Sequence, residues 1–71
     1  MREWLKILRI EKGYTMKEMG DRLHISESYY CAIENGDRQK KMDVTVAAGL
    51  AEAFSVPIAR IIELDQSQRT T

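Results

Sequence analysis

Apolar residues recur along this chain at helical spacing rather than in strand-like alternation. Residues 2–12 carry Trp4, Leu5, Ile7 and Leu8, and Gly13 supplies a stop. Met16, Met19, Gly20 and Leu23 fall at i, i+3, i+4 and i+7, one apolar face over two turns. Thr15 and Glu18 precede that face as a Thr-x-x-Glu capping box, in which each side chain takes the other residue's otherwise orphaned amide. His24-Ile25 interrupts, and Ser26 caps a third helix running to Asn35 with Tyr30 and Ile33 inward. Asn35-Gly36 ends it, since both residues tolerate positive φ. A polar loop, Asp37 to Met42, leads to Asp43, the N-cap of a fourth helix in which Ala47, Leu50, Ala51 and Phe54 repeat the pattern. Ser55 to Pro57 form a turn, and a short fifth helix, Ile58 to Leu64, presents Ile58, Ile61 and Ile62. The expected fold class is all-α, a five-helix bundle in which residues 1–65 form one domain and residues 66–71 a frayed polar tail.

Composition narrows the picture. A chain of 71 residues, 44% apolar and 31% charged, is globular but near the lower limit for an unstapled core. The single cysteine, Cys31, excludes an internal disulfide and fits a reducing compartment. No apolar run approaches the ~20 residues of a membrane span, and no secretory h-region is present, so a cytoplasmic location is expected. Net charge is zero, which counts against an evenly basic nucleic-acid binder. The charges are unevenly placed, however: residues 1–41 hold nine Lys/Arg against seven Asp/Glu, and residues 42–71 two against four. Arg38, Lys40 and Lys41 cluster directly after the third helix. No nucleophile–base pair, metal-ligand spacing or phosphate loop stands out, so neither catalysis, a cofactor, a metal nor a small-molecule ligand is expected. His24 alone is no metal site, and Cys31 has no adjacent basic residue to lower its pKa and reads as a spectator.

Residues 15–36 carry the decisive pattern. Two short helices meet at a tight turn, with the small Gly20 where steeply crossing backbones must approach, and with Ile25 placed to plug the wedge between them. The run L-x-x-L-R-x-x-K-G-Y-T followed by I-S-E-S-Y-Y-x-x-I-E-N-G-x-R, Leu5 to Arg38, resembles the Cro/XRE family of phage repressors and bacterial regulators. The resemblance implies a lambda repressor-like fold and departs from the family pattern at Met16 (usually Gln), Gly20 (usually Ala) and His24 (usually Gly).

It also implies roles for individual residues. Base contacts fall to Glu27, Ser28, Tyr29 and Ala32, and backbone contacts to Thr15, Lys17, Ser26, Asn35, Arg38, Lys40 and Lys41. Arg9 and Glu34 match a buried structural salt bridge between the first and third helices. Ile58, Ile61, Ile62 and Leu64 offer more apolar surface than a seven-residue helix needs and are assigned in part to a dimer interface. The expected function is sequence-specific binding of double-stranded DNA by a homodimeric transcriptional regulator, a repressor acting at an inverted-repeat operator. The alternative is a protein-interaction module on the same fold, an antitoxin or adaptor, which zero net charge and the acidic Glu27 favour.

Overall fold

Side chains that take orphaned amides open three of the helices. Thr15 Oγ1 accepts from the Glu18 amide at 3.0 Å while Glu18 Oε1 accepts from the Thr15 amide at 2.8 Å. Ser26 Oγ accepts from the Tyr29 amide at 3.1 Å, and Asp43 Oδ1 from the Thr45 amide at 2.8 Å. Each such cap is worth about 0.5–2 kcal/mol. Left-handed residues close helices at the other end: His24 (φ 60°), Gly36 (φ 85°) and Ser55 (φ 57°). The computed structural model describes residues 1–69, and these signals delimit α1 (Glu3–Glu11), α2 (Met16–Leu23), α3 (Glu27–Asn35), α4 (Val44–Phe54) and α5 (Ile58–Arg69). The described residues form no strand.

All five helices feed one core. Leu5 of α1, Met19 of α2, Tyr30 and Ile33 of α3, Leu50 and Phe54 of α4, and Ile61 of α5 are fully or almost fully buried. The closest pairing is α2 with α3, and α4 packs on both α2 and α5. Gly20 sets the first of these approaches. A β-carbon there would stand 2.9 Å from the Ile25 carbonyl oxygen and 3.3 Å from the Glu27 amide nitrogen, inside the turn itself.

The start of the chain closes the bundle. Arg2 is buried and binds four groups: its Nε donates to Asp65 Oδ1 at 2.7 Å, and its terminal nitrogens donate to the carbonyls of Ile33 (2.6 Å), Arg38 (3.1 Å) and Gln39. This one side chain therefore joins the last turn of α3, the loop after it and the middle of α5. Two sequence-based expectations change as a result. The fifth helix does not stop at Leu64 but continues to Arg69, because Asp65 is pinned beneath Arg2 instead of starting a frayed tail. Residues 66–69 of the expected tail are thus helical, and Thr70 and Thr71 lie outside the described residues. Ile61 is fully buried within the subunit, which removes it from any surface and hence from a dimer interface; it belongs to the core.

Four substitutions test this packing. Arg2→Ala strands the buried Asp65 carboxylate and three carbonyls, and should cost about 3–5 kcal/mol. Asp65→Asn should cost less, because the arginine keeps its backbone acceptors; a urea melt that ranks the two equally contradicts this reading. At the helix turns, His24→Gly should relieve left-handed strain and add roughly 1 kcal/mol, raising the melting temperature by about 4–8 °C. Gly20→Val should lower stability by about 1–3 kcal/mol through overpacking against the Ile25 carbonyl.

Candidate nucleic-acid interface

The turn between α2 and α3 determines which side of α3 faces outward. His24 and Ile25 donate back to the Asp21 and Gly20 carbonyls, at 3.3 and 2.9 Å, so the chain reverses within three residues. Ile25 packs partly into the core, and Tyr30, Ile33 and Glu34 form the buried side of α3. At 100° per residue, the opposite side is Ser28, Ala32 and Asn35, with Tyr29 on one flank and Glu27 and Cys31 on the other. Glu27, Ser28 and Asn35 are exposed, whereas Tyr29, Cys31 and Ala32 are half-buried.

Glu34 orients this helix from within. Its carboxylate, fully buried, accepts from Arg9 Nε at 2.8 Å, and Arg9 also donates to the Tyr14 carbonyl at 3.0 Å. The Glu34 hydrogen bond raises the Arg9 pKa, so the guanidinium stays charged. Burial, reinforced by Glu34, pushes the Tyr30 phenol upward and keeps it neutral. The Arg9–Glu34 tie between α1 and α3 is the one the sequence motif implied.

Around the outer face of α3 stand the cations. Arg38, Lys40 and Lys41 are exposed in the loop after it, and none makes a side-chain ion pair among the described residues. Lys17, in the first turn of α2, lies 3.7 Å from Asp21 in an exposed pair of little energetic weight. Ser26 and Thr15 are exposed N-caps at the two helix starts that flank α3's outer face.

At Thr15 the completed capping box gives the N–H to Glu18, so that amide is not open to a phosphate. Glu18's amide is taken in turn by Thr15 Oγ1, which leaves the Met16 and Lys17 amides as the first-turn donors without a capping acceptor. Hydrogen bonds from Thr15 hold the Glu18 carboxyl below the usual glutamate range. The cap is therefore complete at neutral pH and is lost only as pH falls through that depressed value.

On α5, Ile58 is exposed and Ile62 and Leu64 are half-buried, leaving an apolar edge once Ile61 is removed. Neither Gln39 nor Arg2 is legible as a site residue from the sequence. Gln39 adopts φ 56°, a left-handed state that neither its residue type nor its neighbours announce. Arg2 and its partner Asp65 lie 63 positions apart, beyond any periodic signal.

Comparison with known proteins places this architecture. The helix-turn-helix family model matches residues 5–61. An uncharacterized HTH-type transcriptional regulator, YqaF of Bacillus subtilis, is 43% identical over 49 residues, 69% of this chain. The alignment spans 64% of that relative's own length. No solved structure is significantly similar to the chain. With the family match running from α1 into α5 and the α2–turn–α3 geometry in place, the chain belongs to the helix-turn-helix family, of the Cro/XRE type.

Proposed function

We propose that this protein is a sequence-specific DNA-binding transcriptional regulator that inserts α3 into the major groove, works as a two-fold dimer on an inverted repeat, and represses. The observation that carries the reading is the pairing of a small outer face on α3 with three cations immediately after it that make no side-chain ion pair among the described residues. A helix presenting Ser28 and Ala32 approaches base edges closely, because neither side chain fills the groove. Ser28 can pair with several edges, Ala32 can meet a thymine methyl, and Glu27 can accept from a cytosine amino group. Tyr29, on the flank, reaches further through its hydroxyl. Arg38, Lys40 and Lys41 neutralise phosphates on one side of the groove. Ser26 and Asn35 act on the backbone as well, as do Thr15's hydroxyl and the Lys17 ammonium at the start of α2. The relative's description as a transcriptional regulator supports the same role.

Dimerisation rests on the α5 edge. Ile58, Ile62 and Leu64 are the residues placed against a second copy. Half-sites then stand about one helical turn apart, ~10 base pairs centre to centre. Such a regulator works inside the cell, alongside its DNA.

Selection from a random duplex library should enrich an inverted repeat, and affinity for it should fall with a log–log salt slope near −3 or steeper, about −0.9 for each phosphate neutralised. Lys40→Ala should reduce that slope by roughly one and weaken all sequences alike, whereas Ser28→Ala should cost about 1–3 kcal/mol at one base position only. A folded protein that enriches no sequence contradicts the proposal and favours the protein-interaction reading. In sedimentation equilibrium, Ile58→Glu should shift the protein towards monomer with an unchanged melting temperature; a dimer that survives the change moves the interface elsewhere.

A further inference from the structure

Gln39 uses both ends of its side-chain amide and its backbone carbonyl. Its Nε2 donates to the Tyr29 hydroxyl oxygen at 2.8 Å, its Oε1 accepts from the Asp43 amide at 2.9 Å, and its backbone carbonyl accepts from Arg2. The backbone is left-handed at this residue, φ 56°, which turns the side chain back across the loop between α3 and α4. The orientation of its amide is chemically fixed. A backbone N–H can only donate, so the atom facing Asp43 is the oxygen, and the atom facing Tyr29 is the NH₂ group.

That polarity has a consequence for Tyr29. A phenol keeps its hydroxyl hydrogen in the ring plane, with an acceptor position on the other in-plane side. With Gln39 donating on one side, the Tyr29 hydrogen turns to the other, away from the protein's own amide. We infer that Gln39 is a positioning residue for DNA reading: it fixes the Tyr29 ring beside the outer face of α3 and makes its hydroxyl a hydrogen-bond donor to the nucleic acid. The partners such a donor selects are acceptors, the phosphate oxygens, guanine O6 and N7, or thymine O4, and not the amino groups of cytosine or adenine. Accepting from Gln39 also polarises the hydroxyl and strengthens its donation. This inference rests on the proposal that α3 reads DNA.

Gln39→Glu separates the positioning role from the structural one. A carboxylate still accepts from the Asp43 amide and so keeps the loop closed, but it cannot donate to Tyr29. The hydroxyl hydrogen then turns inward to the carboxylate. The readout is the ratio of affinities for the selected duplex and for a duplex of unrelated sequence, which cancels the uniform repulsion from the added charge. Tyr29→Phe and Gln39→Glu should each lower that ratio roughly 2- to 10-fold, the range for one hydrogen bond. The double variant should lose no more than either single one, and the melting temperature of Gln39→Glu should stay near that of the wild type. A wild-type ratio in Gln39→Glu alongside a lowered ratio in Tyr29→Phe overturns the positioning role, as do losses that multiply in the double variant. A lowered ratio that tracks a collapse in melting temperature overturns it too, in favour of a purely structural residue. If the wild-type protein discriminates no sequence at all, both this inference and the DNA-reading proposal fail together.

Discussion

Two arginines near the start of the chain hold the third helix from inside. Arg9 pairs with the buried Glu34 carboxylate, and Arg2 takes the Ile33 carbonyl together with two carbonyls of the following loop. A buried charge without its partner is costly, by several kcal/mol, so these contacts make α3's rotation about its own axis close to a two-valued matter: in register, or unfolded. The face that points outward follows from that constraint. Ser28, Ala32 and Asn35 form the outward side because Tyr30, Ile33 and Glu34 are buried in the core. In a core contributed by a chain of only 71 residues, polar ties of this kind supply directionality that apolar burial, being non-directional, cannot.

The same ties make the loop after α3 part of the proposed binding surface instead of a passive connector. Arg2 grips the carbonyls of Arg38 and Gln39, and Gln39 links Tyr29 to the first residues of α4. The cations Arg38, Lys40 and Lys41 consequently stand on a segment anchored to α3, α4 and α5 at once. Position and charge are coupled there: the groups proposed to meet phosphates are tied by hydrogen bonds to the helix proposed to meet bases. Zero net charge is compatible with this arrangement, because the field that a phosphate meets is set by local placement and is screened beyond about 10 Å at 0.1 M salt.

Much of this was legible in the amino-acid sequence, and the reasons are local. The Thr15–Glu18 box, the Ser26 and Asp43 caps and the Asn35-Gly36 stop are short-range hydrogen-bonding devices whose residue types announce them. Gly20 at the helix crossing was also placed from sequence, by the demands of the turn. Contacts across the fold were not visible. The sequence pattern ends α5 at Leu64 because the partner that holds Asp65 lies at the other end of the chain. Ile61 looked available for a second subunit because periodicity identifies an apolar face without saying what covers it. The Thr-x-x-Glu pattern already commits the Thr15 N–H to Glu18, and the geometry shows it engaged.

The central claim is that the outer face of α3, held by the two arginines, is the surface that meets DNA. Mapping backbone amide shifts of the labelled protein as an enriched duplex is added tests it most directly. The account predicts that the changes concentrate on residues 27–32 and 38–41 and spare the outer side of α1. Changes centred instead on the exposed Ile7 and Ile10 of α1, with α3 unaffected, contradict it.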